Sequence, residues 1–162
     1  MKKGLASAVV VAFALGGALS TFALLRTPSS GVVVTDPVWI ELPWPFPTDQ
    51  WGRGRAFQCK PSDCGSEVRV YLRAKLGACN CATGISDDDE LDRMSDFDLV
   101  AGDVSPLSEG RAIRVKSMSG RSRSYAINGR QRDKSMLSAA FNERCDMVVA
   151  TVVLPHDRPI VR

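Results

Sequence analysis

Histidine is nearly missing from this chain: His156 is the only one in 162 residues, so any imidazole chemistry has to use that side chain. No Gly-x-Ser-x-Gly elbow and no Ser-x-x-Lys pair occurs, which removes the signals of the common serine hydrolases. No Cys-x-x-Cys motif is present, which weakens a redox reading of the cysteines. The run Asp87, Asp88, Asp89, Glu90 lacks the Asp-x-Asp-x-Asp-Gly spacing of a calcium loop, and consecutive acids on a helix point in four directions. A glycine-rich phosphate loop is also missing, so nothing suggests a nucleotide. These gaps imply no cofactor and no metal.

Charge is missing from one long stretch. Lys2 and Lys3 precede Gly4 to Leu25, a run of 22 residues without an ionisable side chain, closed by Arg26 and Pro28. As a helix this run would rise about 33 Å, enough to cross a hydrocarbon core of about 30 Å. Residues 1–26 are therefore expected to be a signal anchor or a signal peptide. The apolar run continues past the small residues Ala18-Leu19-Ser20, which favours retention as an anchor over cleavage and secretion. Two lysines before the run and one arginine after it favour a cytoplasmic N-terminus. The expected location is the inner membrane, reached through residues 4–25, with the remainder in the periplasm. The net charge of +3 falls close to neutral without Lys2 and Lys3, and nucleic acid is not an expected partner.

Residues 27–58 carry Pro28, Pro37, Pro43, Pro45 and Pro47 among Trp39, Trp44, Phe46, Trp51 and Phe57. Proline at that density excludes a continuous helix and favours an extended arm. The rings are too many for a free linker; they either pack on the domain or face a partner or the bilayer interface.

Residues 59–162 are expected to fold as a disulfide-stapled α+β domain, a small, mostly antiparallel sheet with two helices on one face. Val68, Val70, Leu72, Ala74 and Leu76 alternate with Arg69, Tyr71, Arg73 and Lys75, the pattern of a strand with a basic outer face. Ser86 followed by Asp89 suggests a capped helix over 87–94. Residues 97–100 read as a short strand, 102–110 as a loop, and 111–118 with 121–127 as a hairpin turning at Ser119-Gly120. Leu137, Ala140 and Phe141 fall on one face of a helix over 134–144, and 147–154 reads as an interior strand. The expected core is Val68, Val70, Leu72, Ala74, Leu137, Phe141, Val149 and Val153.

Cys59, Cys64, Cys79 and Cys81 lie close together in sequence, which in an exported protein reads first as a disulfide framework. Cys79 and Cys81 are too near each other to bridge without strain, so each is expected to pair with Cys59 or Cys64, leaving Cys145 reduced. The competing reading is a thiol-redox or soft-metal site for copper or zinc on the same four residues, although their spacing does not match zinc knuckles. Cys145 and His156 would sit at opposite ends of the last strand, roughly 30 Å apart, too far for a dyad.

Residues 87–109 hold nine acids against Arg93 alone, and residues 111–134 hold eight basic residues against Asp133 alone. The two blocks could neutralise each other within the domain, or the group Arg121, Arg123, Arg130 and Arg132 could meet an anionic lipid surface or an acidic partner. With few reactive groups, the sequence favours a non-catalytic envelope protein with a binding or assembly role. The candidate contact residues are Trp39, Trp44, Trp51, Arg121 and Arg123.

Overall fold

The alternation after Glu67 does form a strand, and a sheet extends from it in both directions. The computed structural model describes residues 36–129 and 133–155. The expected membrane-crossing run and His156 lie outside the described residues, and no described helix is long and apolar enough to cross a membrane.

The described strands are β1 (Trp39–Leu42), β2 (Arg55–Cys59), β3 (Val68–Lys75), β4 (Val104–Pro106), β5 (Arg111–Val115), β6 (Met118–Ile127), β7 (Lys134–Glu143) and β8 (Asp146–Pro155). They form one sheet in the order β1-β2-β3-β8-β7-β6-β4, with β5 also paired to β6, and every pairing is antiparallel. The described helices are short: α1 (Pro61–Cys64), α2 (Asp88–Met94) and α3 (Phe97–Val100). The Pro/Trp-rich stretch supplies β1 and β2, so it belongs to the sheet.

Several local expectations are corrected. Residues 134–143 are strand β7, in the middle of the sheet, and not a helix. Leu137 and Phe141 share a face at a spacing of four in a strand as well as in a helix, so the apolar spacing alone did not discriminate. Residues 97–100 form a helical turn and not a strand, and the expected loop over 102–110 contains β4. The β5–β6 hairpin turns at Lys116, where φ is +53°, with Val115 opposite Met118. Gly120 sits inside β6 instead, where an added Cβ would collide with the Ala140 carbonyl of the neighbouring strand. The N-cap of α2 is Asp87, whose carboxylate accepts from the Glu90 amide at 2.8 Å.

The strand pairings sort side chains onto two faces. The first face carries Tyr71, Arg73 and Lys75 of β3, Met147, Val149, Thr151 and Val153 of β8, Met136, Ser138 and Ala140 of β7, and Arg121, Arg123, Tyr125 and Ile127 of β6. Both clusters of buried apolar residues lie here. One joins Leu91 and Met94 of α2 to Ala140, Met147 and Val149; the other joins Phe97 and Val100 of α3 to Tyr125, Ile127, Met136 and Val153. Of the expected core, only Val149 and Val153 are buried. Val68, Val70, Leu72, Leu137 and Phe141 are half-buried and Ala74 is exposed, because their parity places them on the second face. The basic side of β3 is the one that turns inward.

That inversion is made possible by charge pairing. Arg73 and Lys75 are only 4% and 5% exposed. Asp96, between α2 and α3, is bonded by the Arg73 guanidinium through two nitrogens and lies 2.8 Å from Lys75 Nζ. Asp49, in the segment before β2, takes the remaining Arg73 nitrogen at 2.6 Å, and Lys75 also donates to the Met94 carbonyl at 2.7 Å. Trp51 lies over the ammonium, its ring centre 5.7 Å away. Burying two cations is tolerable only when their partners are buried with them. Asp96→Ala is expected to destabilise the domain by about 3 to 5 kcal/mol, the usual cost of stranding buried charge, read as a lower denaturant midpoint at unchanged slope. A loss below about 1 kcal/mol would show that the two cations find other partners.

Candidate binding surface

The acidic and basic blocks of the sequence meet on the first face. Helix α2 presents Asp88 and Asp92 to β6, where Arg121 and Arg123 stand two residues apart on the same side of the strand. Arg121 bonds to Asp88 through Nε and to the Gly110 carbonyl at 3.2 Å. Arg123 reaches Asp92 at 2.8 Å, Asp88 at 3.6 Å and the Ser108 carbonyl at 2.9 Å. Asp92 also accepts from the Tyr125 hydroxyl, and burial, followed by the Asp92 charge, pushes that phenol far above its ordinary range. Arg121 and Arg123 therefore hold α2 on the sheet, and their donors are committed inside the domain.

The tryptophans divide. Trp44 stacks edge-on against Phe46 and Tyr71, with ring centres 5.1 and 6.2 Å away, and Trp51 covers Lys75. Gly54 makes room for the first of these, because a Cβ there would sit 2.6 Å from the Trp44 ring and closer still to the Leu72 carbonyl oxygen. Trp39 stays 43% exposed on edge strand β1, opposite Cys59 and on the second face.

The cysteines depart from the expected pairing. Cys59 bonds to Cys64 across α1, and Cys81 bonds to Cys145, while Cys79 is a buried free thiol. Cys145 was set aside because it lies far from the other four in sequence. As strands, β7 and β8 form a hairpin whose turn, with Arg144 at φ +56°, brings Cys145 beside the loop after β3. Gly77 and Cys79 of that loop donate backbone hydrogen bonds to Asp146 and to the Cys145 carbonyl, at 2.8 and 3.3 Å. Among the described residues, no group of three or more His, Cys, Asp or Glu side chains is arranged to hold a metal ion.

No family model, curated protein or solved structure matches the chain. The site has to be read from its own geometry.

What stands out is the second face. Over the three central strands it carries Val68, Val70, Leu72 and Ala74 of β3, Val148, Ala150, Val152 and Leu154 of β8, and Ser135, Leu137, Ala139 and Phe141 of β7. None is charged. Phe57 extends the patch on β2 and Ser122 and Ser124 on β6, with Trp39 at its rim; the Arg55–Glu41 ion pair and the Glu143–Asp146 end of the β7–β8 hairpin bound it on the same face. An antiparallel sheet with one solvated face ordinarily alternates apolar with polar residues, and here both faces of the central strands are apolar or neutralised. Helices α2 and α3 contribute their buried residues to the first face, and among the described residues no buried apolar cluster forms on the second. The disulfide at Cys59 places α1 only at its corner. Sequence reasoning named Trp39 but missed this surface, because it assigned the same residues to the interior.

The Asp88 carboxylate gives the seating of α2 a pH dependence. Burial opposes its charge, but the Gly110 amide and the Arg121 guanidinium outweigh that and hold its pKa below the ordinary carboxylate value. A carboxylate lowered on folding adds stability above its unfolded pKa and loses it as pH falls through the folded one. The unfolding midpoint is therefore expected to drop as pH falls below about 4, with a shallower acid limb in Asp88→Asn. Identical acid limbs in the two proteins would show that Asp88 does not hold α2 in place.

Proposed function

We propose that this chain is a non-catalytic binding module of the cell envelope, tethered through residues 4–25, whose second sheet face receives an apolar surface of another protein. The observation that carries the reading is the absence of charge across Val70, Leu72, Val148, Val152, Leu137 and Phe141, which are half-buried residues in three neighbouring strands. At about 4.8 Å between strands and 3.3 Å per residue, these three strands, over roughly eight residues each, span on the order of 400 Å². That is about half of the roughly 800 Å² that each partner contributes to a stable protein interface. A continuous apolar patch of this size marks an interaction site on most soluble domains.

The chemistry of the face favours a protein over an anionic lipid surface. Phosphate headgroups are held by cations; the central strands present none on this side, and Arg55 of the neighbouring β2 is paired with Glu41. Two of the four arginines first considered for that role, Arg121 and Arg123, are paired with Asp88 and Asp92 on the other face, and Arg130 and Arg132 lie outside the described residues. The exposed ring of Trp39 adds an aromatic side chain of the kind enriched in protein contacts. The apolar run over 4–25 supports the tether and the envelope location.

A photoreactive side chain at Leu72 or Val152 of the full chain, in its native membranes, is expected to form discrete protein adducts. The same probe at exposed Arg69, on the first face, should form at least tenfold fewer, and Leu137→Glu should remove the adduct at Leu72. Adducts to lipid alone, or only to residues of the same chain, would sink the proposal.

A further inference from the structure

Three cysteines come together where the loop after β3 lies against the β7–β8 turn, and the proposed binding role does not use them. Cys81 is bonded to Cys145, and the Cys81 residue is exposed. Cys79, two residues earlier, is 6% exposed and sits in the apolar cluster with Ile85, Leu91, Met147 and Val149. Its amide donates to the Cys145 carbonyl at 3.3 Å, and its Sγ lies 3.4 Å from the Arg144 carbonyl oxygen, in the same turn. Residues joined by such a backbone bond have Cα atoms about 5 Å apart, inside the range that a disulfide spans. Cys145 thus has two cysteines within bridging reach and forms a bond with only one.

We propose that Cys79, Cys81 and Cys145 form a thiol–disulfide exchange site, in which Cys79 takes Cys145 from Cys81 and leaves Cys81 as a reactive thiol at the surface. The Cys79 thiol gives its proton to water, and the thiolate attacks Cys145 Sγ. The Cys79–Cys145 bond forms as the Cys81–Cys145 bond breaks, and Cys81 leaves as a thiolate that takes a proton from water. One disulfide and one thiol are present before and after, so no oxidant or reductant is consumed. The exchange moves the free thiol from the core to an exposed loop. There it can react with a disulfide on a small molecule or on another protein, which a thiol buried at Cys79 cannot reach.

The environment of Cys79 sets the pace. Burial pushes its thiol above the ordinary range, and the charges of Glu90 on α2 and Asp146 at the start of β8 push it the same way. Thiolate is therefore scarce at neutral pH, and the exchange rate should rise roughly tenfold per pH unit while the thiol remains mostly protonated.

The full chain, never reduced, is held at several pH values, quenched with acid and alkylated after unfolding, and fragment masses on either side of Asn80 locate the label. Label is expected on both Cys79 and Cys81, the Cys81 share growing about tenfold faster at pH 8 than at pH 7. In Cys81→Ala, Cys145 is expected to be bridged to Cys79, with no thiol left to alkylate. Label confined to Cys79 at every pH, label on Cys59 or Cys64, or a free Cys145 in Cys81→Ala would each overturn the proposal. A monomer that forms no adduct at Leu72 yet still exchanges would sink the binding role while leaving this one standing.

Discussion

Asp96 is the residue on which the two sides of the first layer depend. A single carboxylate, itself nearly fully buried, receives a guanidinium and an ammonium from alternate positions of one strand. It also sits in the link between the two helices that cover that strand, so its charge fixes helix position and strand register together. If β3 slipped by one residue, Arg73 and Lys75 would move to the other face and Asp96 would be left alone in the interior. Register here is enforced by charge, where most half-buried sheets enforce it by apolar alternation. Such pairs add little net stability over apolar residues of similar volume, but a wrong arrangement of them is costly.

The consequence reaches across the sheet. Because the paired charges occupy the first face of β3, the apolar half of the alternation is directed to the other side, where it joins the apolar halves of β7 and β8. The domain thus resembles half of a β-sandwich, one face of its sheet closed by helices and the other left uncharged over the central strands. The same arrangement withdraws Arg121 and Arg123 from solvent contacts, since their carboxylate partners come from the helix that closes the first layer.

Much of this was legible in the sequence. The strand at β3, the helix at α2, the strand at β8 and the antiparallel sheet were all visible as period-two or capped patterns. The neutralisation of the acidic block by the basic one was visible as a possibility. What stayed hidden was orientation. A strand with apolar residues on one side and Arg, Tyr, Arg and Lys on the other is read with the apolar side inward, and only the position of Asp96, more than 20 residues away, reverses that reading. Lys134–Glu143 satisfied two periods at once, and its place between two long strands decided the outcome. The disulfide error had another origin: the four cysteines close in sequence were paired among themselves, and the sheet brings the distant Cys145 to Cys81 instead.

The Cys81–Cys145 bond spans 64 residues, and the chain between them contains α2, α3 and β4 to β7. Under tension this bond is a covalent shortcut. A pull applied between the two ends of the sheet-forming chain passes through β1, β2 and β3, crosses the sulfur bridge and continues along β8. The enclosed strands and both covering helices carry no load, and their extension is capped whatever the force. Exchange of Cys81 for Cys79 would move the shortcut by two residues and leave the shielded segment intact. A domain anchored at one end and gripped on its sheet by another protein would meet such a load, and its inner half could not be drawn out for as long as the bridge stayed oxidised.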